Sequence, residues 1–354
     1  MTQLIDKSIA LIIPEFNSGG EEKRVAFFVN NYLNYFKNVF LIAPEGLSHR
    51  LVSRDVKQIR ISIRNPFNLL KILQFIKRNN IDFFQGHKRA TLPYLFAAEK
   101  FTKAVCIFNY DNIYLSGNRL CSLITPKNVI YLSDILKSYY KPYYRHHNNI
   151  TINMGGEFYD IYCPLKKKEG RHNLGVREEL VLVNVGRLVS QKNHILFIQA
   201  LRQISDRKFK AFIVGDGPLK LRLKNLIDES SLEDKVVLLG FREDIGHILN
   251  ISDVMVQSSL FEGFPNTFIE AASVGLPIVA TKVGSSGSIV KDNGVLVSSN
   301  DSKELAEAIA HVIDHYDQYK HNALQFSKSE YLQQFKKERM LDNYIKYYQS
   351  IARF

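Results

Sequence analysis

One feature limits this 354-residue chain more than any other: short apolar runs alternate with stretches whose apolar residues recur at helical spacing. "SIALIIPE", "NVFLIAPE" and "IDFFQGHKR" are such runs, and "GGEEKRVAFFVNNYLNYF" and "NPFNLLKILQFIKRNN" are the stretches between them. Strand, helix, strand repetition of this kind builds a parallel sheet with helices on both faces. The alternation breaks at "YCPLKKKEGRHNLGVREE" and restarts with "ELVLVNVGRL", "FKAFIVGDGP", "KVVLLGF" and "LPIVATKVG". The fold class is therefore α/β, with two Rossmann-like doubly wound domains. They are expected at 1–165 and 180–335, joined by a linker over 166–179, and a last helix over 336–354 is expected to pack back on the first. Ligands of open parallel sheets gather outside the carboxyl ends of the strands, so two facing domains imply a central cleft.

Composition narrows the class. Hydrophobic residues make up 45% and charged ones 23%, as in ordinary globular proteins, and no apolar run approaches the ~18 residues of a membrane span. "MTQLIDKSIALIIPEF" carries an acidic residue and no cleavage site ahead of its apolar core, which reads as a first buried strand and a cytoplasmic location. Three cysteines, Cys106, Cys121 and Cys163, lack metal or disulfide spacing and are expected to be buried thiols. The net charge of +12 is uneven: residues 1–165 hold 21 Lys and Arg against 12 Asp and Glu. Such a bias suits an anionic partner of the first half, a phosphorylated acceptor or an acidic membrane surface among them.

Chemistry concentrates in the second half. In "VLVNVGRLVSQKNH", Gly186 turns the chain after a strand. Arg187 can fork two hydrogen bonds onto a phosphate and Lys192 adds a second positive charge, a pair suited to a diphosphate. Gly215 and Gly217 of "FIVGDGP" permit a tight strand-to-helix turn, and Phe241 and Arg242 of "LLGFRED" could frame a nucleotide base. In "EGFPNTFIE", Pro265 and Asn266 lie where a helix begins, whose free N–H groups and dipole attract a phosphate. Glu262 precedes that turn, facing a reacting sugar, and Glu270 lies within the helix, where it can accept bonds from ribose hydroxyls.

Taken in order, "VGRLVSQKN", "VGDGP", "LLGFRED", "SSLFEGFPNTFIEAASVGLPIVATKVG" and "NGVLV" resemble the GT-B glycosyltransferases, specifically the family-four group of retaining enzymes with an E-x7-E pattern, here Glu262 and Glu270. The resemblance implies that Arg187 and Lys192 hold the donor diphosphate, with the Thr267 region and the helix N-terminus assisting. It implies that Glu262 and the amides of Gly263, Phe264 and Asn266 contact the donor sugar, and that Glu270 binds ribose. Gly215, Phe241 and Arg242 are assigned to the base. "FNSGGEEKR" is similar to the family's glycine loop, where Gly19 and Gly20 let backbone approach the donor phosphates, and "QGHKRATLPYLFAA" puts His87 near the cleft. Where many members carry a second histidine, this chain reads "VCIFNYDN", so Asn109 or Asp111 is expected in its place. Ser288 stands where relatives often have Glu.

The activity implied is transfer of a sugar, with retention, from a nucleotide diphosphate to a glycan or polyprenyl-diphosphate-linked acceptor, in bacterial surface polysaccharide synthesis. A UDP-sugar is the expected donor, as substrate; no cofactor, no metal and no nucleic-acid partner is expected, and no Asp-x-Asp occurs. A sugar-nucleotide 2-epimerase and a non-catalytic nucleotide-sugar-binding subunit are the alternatives. "RDVKQIRISIR" and "KSYYKPYYRHH" interleave basic with apolar or aromatic residues, which predicts peripheral docking on an anionic membrane, with Lys137, Lys141 and Arg145 as contacts.

Overall fold

A computed structural model describes residues 4–352 except 18, 145–147 and 299. The chain divides into two units, residues 1–154 with 338–354, and 155–337. The first holds a seven-stranded parallel sheet: β1 (Ser8–Ile12), β2 (Asn38–Ala43), β3 (Lys57–Arg60), β4 (Phe83–His87), β5 (Val105–Tyr110), β6 (Asn128–Tyr131) and β7 (Asn148–Thr151). Their spatial order is β3-β2-β1-β4-β5-β6-β7. The second holds β8 (Leu180–Val185), β9 (Phe209–Val214), β10 (Val236–Gly240), β11 (Val254–Gln257), β12 (Ile278–Thr281) and β13 (Gly294–Val297), also parallel, in the order β10-β9-β8-β11-β12-β13.

The central strands are buried on both faces, which is why they read as unbroken apolar runs. Each order reverses direction once, between β1 and β4 and between β8 and β11. At such a switch point the loops from neighbouring strands leave in opposite directions and open a crevice at the carboxyl edge. In the second unit Leu182, Ile213, Val254 and Val279 from the sheet pack with Phe197, Leu201, Leu305 and Ile309 from the covering helices, fixing the strands that carry the site loops.

Two boundaries differ from the sequence expectation. The units part at Met154/Gly155 rather than at 165/166. Much of the stretch expected as a linker is instead the helix Pro164–Asn173, anchored within the second unit by Lys167 and Arg171 on Asp253. Its low apolar content hid it, because ion pairs and Pro at its start, rather than a broad apolar face, hold it in place. The cysteines also differ: Cys106 is buried, but Cys121 is half-buried and Cys163 exposed.

The helix Lys337–Ile351 belongs to the first unit. Its Tyr344 and Tyr348 are fully buried, with ring centroids 4.5 Å from Phe28 and 5.2 Å from Phe83. Tyr348 donates to Gln85, and the hydroxyls of Tyr32 and Tyr348 lie 3.1 Å apart. Tyr110, Tyr131, Tyr140 and Tyr144 form a second buried aromatic cluster. The tyrosines of "KSYYKPYYRHH" thus divide differently from the expected interface belt: Tyr140 and Tyr144 are core residues, and Arg145 lies outside the described residues.

Candidate active site

In the second unit the loops after β8 and β11, on either side of the switch point, bring Lys192 and Glu262 together. Lys192 Nζ lies 2.5 Å from Glu262 Oε1, and Ser259 Oγ donates to the same oxygen at 2.6 Å. Both bonds fall on Oε1 of a carboxylate only 7% exposed. Ser258 ties the two loops by donating to the carbonyl of Asn193 at 2.9 Å, while Thr281 at the end of β12 donates to the carbonyl of Ser259 at 2.6 Å. Gln191 Nε2 donates to the Phe261 carbonyl, and Leu260 N donates back to the Gln191 carbonyl. Gly284 adopts φ +51°, and a Cβ there would meet the Glu262 carbonyl at 2.0 Å. Only glycine lets the loop after β12 lie against the backbone of Glu262.

Arg187 is exposed, and its own carbonyl lies 3.1 Å from His194 Nε2. His194 is fully buried, and burial, the largest cause, lowers its pKa to about 4, so the ring is neutral near pH 7. Its role is to brace the turn that presents Arg187. Gly215, at φ +143°, passes so close to that turn that a Cβ would meet the Gly186 carbonyl at 2.0 Å. Its N–H donates to the Gly240 carbonyl at 2.8 Å. Gly215 is thereby brought beside the strand end carrying Phe241, whose ring is half exposed. Arg242 is committed elsewhere: Nε and Nη2 bond both carboxylate oxygens of Asp244 at 2.8 and 2.6 Å. That pair uses two of the guanidinium's five N–H groups.

The helix Asn266–Ser273 begins directly after Pro265. Asn266 Oδ1 is buried with no hydrogen-bond partner among the described residues, an orphan acceptor at the mouth of a positive helix end. Thr267 is half-buried beside it. The amides of Gly263 and Phe264 precede the helix, but the Phe264 side chain is buried with its ring 5.5 Å from Phe335, so only its backbone can serve a ligand. Glu270 is half-buried on the same helix. Tyr159 feels its charge: burial foremost, then Glu270, pushes the phenol's pKa up.

In the first unit His87, at the end of β4, is fully buried. Gln85 Nε2 lies 3.1 Å from His87 Nε2, and since Tyr348 fixes the amide by donating to Gln85 Oε1, the amide nitrogen faces the ring. That leaves the imidazole proton on Nδ1, 3.6 Å from Glu21 Oε1. Burial, then Arg24, lowers the His87 pKa to about 3. Asn109, in register with His87 across β4 and β5, spends its Nδ2 on the Tyr344 hydroxyl at 2.9 Å.

The Gly19–Gly20 turn differs from the expected phosphate cradle. Glu22 folds back so far that a Cβ on Gly19 would meet its Oε2 at 2.1 Å, placing carboxylate where phosphate was expected. Sequence reasoning passed over this region's other charges: Arg24, buried and 3.2 Å from Asp111, and Lys88, 3.0 Å from Glu22. The signal available was two carboxylates and an arginine crowded into the first turns of a helix flanked by apolar runs.

Comparison with known proteins gives what the chain is similar to. Residues 166–327 match the model for "Glycosyl transferases group 1". This group 1 region contains Arg187, Lys192, Glu262 and Glu270. Over 145 residues, 39% of this chain and 38% of that protein, the chain is 38% identical to the Escherichia coli UDP-Gal:alpha-D-GlcNAc-diphosphoundecaprenol alpha-1,3-galactosyltransferase. The chain spans well under two thirds of the curated relatives it matches, 26% to 51% over four of them. Two solved structures extend along the whole chain. Anabaena Alr3699/HepE in complex with UDP superposes with TM-score 0.85 at 20% identity, over 98% of this chain and 100% of that one. A Rickettsia africae glycosyltransferase gives 0.82 at 22%, over 98% of each. The fold is thus GT-B, and the group 1 match supports a glycosyltransferase.

Proposed function

We propose that this chain transfers a sugar, with retention of configuration, from a UDP-sugar to a hydroxyl of a glycan or polyprenyl-diphosphate-linked acceptor in surface polysaccharide synthesis. The observation that carries the reading is the array of Lys192, Ser259 and Glu262 beside the N-terminus of Asn266–Ser273, with the exposed Arg187 on the neighbouring turn. Breaking a glycosyl phosphate bond throws negative charge onto the leaving diphosphate, which Arg187, Lys192 and the helix end would stabilise. Glu262, with both protein bonds on Oε1, would offer Oε2 to a hydroxyl of the donor sugar, and Glu270 would hold the ribose.

UDP as the nucleotide is supported by the HepE complex and by the name of the Escherichia coli relative, which acts on a diphosphoundecaprenol-linked sugar. Charge stabilisation by these groups makes the transfer metal-independent in our reading: activity should survive excess EDTA, and full loss with rescue by a divalent ion would overturn that part. No helix among the described residues is long and apolar enough to cross a membrane, so a lipid-linked acceptor would be met by peripheral docking at a cytoplasmic membrane face. Product analysis with UDP-sugars tests the whole. A new glycoside supports the reading, an isomerised nucleotide sugar supports the epimerase, and tight UDP binding without turnover supports a silent subunit.

A further inference from the structure

Gln257 closes β11, the strand that leads into the Glu262 loop, and puts a long polar side chain where the strand is otherwise apolar. Met255 and Val256 before it are 0% exposed, and Gln257 itself 1%; across the sheet it stands in register with Ala280 of β12. Its Nε2 donates to Ser259 Oγ at 2.9 Å, while its Oε1 is buried with no hydrogen-bond partner among the described residues. A buried amide carbonyl without a donor destabilises a fold. An apolar side chain of the same length would spare the strand that penalty.

Ser259 explains which way the amide points. The serine is fully buried, and its one proton goes to Glu262 Oε1 at 2.6 Å. Toward Gln257 the hydroxyl is therefore an acceptor, which requires the NH2 end of the amide and leaves Oε1 as the unpaired end. Turned over, the amide would offer Ser259 a second acceptor and draw its single proton away from Glu262. The orientation that orphans Oε1 is thus the one that keeps Ser259 donating to the carboxylate. A bond received on the serine oxygen also polarises the O–H it gives, which strengthens the bond to Glu262. With Lys192 Nζ on the same Oε1, rotation of the carboxylate is opposed by two donors on one oxygen.

We propose that Gln257 is a positioning residue for Glu262, acting through the hydroxyl of Ser259. The proposal deepens the glycosyltransferase reading and rests on it. Sealed in the strand, Gln257 meets no substrate; its part is to hold the Glu262 carboxylate in the orientation that turns Oε2 to the donor sugar. Such a relay gives up stability for geometry at a reacting site. It separates from a structural role by its sign, because removing the amide should relieve the strand while loosening the carboxylate.

Variants of the full chain test this by thermal melts, UDP calorimetry and the rate of UDP release from UDP-glucose, UDP-galactose and UDP-N-acetylglucosamine. Gln257→Met should melt at or above the parent temperature and bind UDP as the parent does, yet lose roughly three- to tenfold in kcat, the worth of one neutral hydrogen bond. Gln257→Glu, of the same shape, should lose more, because its carboxylate competes for the Ser259 proton. Ser259→Ala should lose roughly ten- to hundredfold, as for a bond to a charged group, and Ser259→Thr, which keeps the hydroxyl, should recover most of it. In a Glu262→Gln background Gln257→Met should cost nothing more, since residues acting through one group are not additive. With an active parent, a Gln257→Met variant that turns over like the parent, or whose melting temperature and UDP affinity fall together with kcat, overturns the relay alone. A parent that neither binds UDP nor releases it from any of the three sugars overturns the glycosyltransferase reading, and the relay's role with it.

Discussion

Lys192 and Glu262 hold each other across the switch point of the second sheet, 2.5 Å apart, and Ser259 shares the same carboxylate oxygen. The pair neutralises a buried carboxylate and holds the cation against it. Removing either partner therefore has unequal consequences. Lys192→Met should lower UDP affinity roughly ten- to hundredfold and destabilise the fold by about 1–3 kcal/mol, because Glu262 is left buried without its cation. Glu262→Gln should keep UDP affinity within a few-fold and cut turnover, since Lys192 stays and is released. Arg187→Ala should weaken UDP without affecting the melting temperature, given its exposure. Calorimetric titration and thermal melts check all three; unchanged UDP affinity in Arg187→Ala with Lys192→Met would remove the diphosphate assignment.

Glu270 presents a contrasting case. It sits within the helix rather than before it, and bonds to ribose hydroxyls would exist equally in the bound substrate and the transition state. Glu270→Ala should thus raise the donor KM about tenfold or more with kcat nearly unchanged, the signature of lost uniform binding. Steady-state kinetics giving the opposite split would exchange the two glutamates' roles.

The second-unit loops were legible because they depend on short spacing: a glycine ends the β8, β9 and β10 runs, and the helix start at Asn266 follows Pro265 directly. Glu262 before the helix Asn266–Ser273 and Glu270 within it were placed from sequence alone. In the first unit the partners are far apart in sequence. Asn109 meets Tyr344 and Gln85 meets Tyr348 only because the last helix returns to that sheet, and Arg24 reaches Asp111 across four strands' worth of chain. The helix over Pro164–Asn173 was missed for a different reason: ion pairs to Asp253 replace the apolar stripe that periodicity detects.

Three buried groups set the acid sensitivity between about pH 4.5 and 6. His87 and His194 have folded pKa values of about 3 and about 4, below the ordinary histidine value, so the unfolded chain gains their protons first as pH falls below about 6.5. Asp111, raised to about 7, works the other way: the folded state holds its proton through the range where the unfolded state has lost it, a contribution that is lost as pH rises through 7. Between about pH 4.5 and 6 the unfolded state binds two extra protons and the folded state one. Stability should therefore fall on acidification by about 1.4 kcal/mol per pH unit. Thermal melts across that window should show the decline steepened in Asp111→Asn and flattened in His194→Gln. A melting temperature that rises on acidification would contradict the assignment of neutral buried histidines.

The proposed membrane docking would draw on residues other than the tyrosines first expected. Tyr140 and Tyr144 are core, whereas Leu115, Leu120 and Leu123 of the first unit are 89%, 70% and 72% exposed. They lie in and just before the short helix Asn118–Ile124, with Arg119, Lys127 and Lys141 exposed nearby in the chain. Exposed leucines set among cations suit an anionic bilayer surface: each side chain fully buried there would contribute about 1.5–3 kcal/mol, and each cation about 1 kcal/mol. We expect the protein to co-sediment with vesicles containing phosphatidylglycerol, to release as salt rises, and to lose at least tenfold in binding when Leu120 and Leu123 are changed to Ser. Neutralising Arg119 and Lys127 together should reduce the salt dependence more than the binding at high salt. Since both leucines are already exposed to water, the Ser variants should melt within a degree or two of the parent, so weakened sedimentation cannot be ascribed to unfolding. Indifference to anionic vesicles at low salt would refute docking and leave a water-soluble glycan as the acceptor this first unit serves.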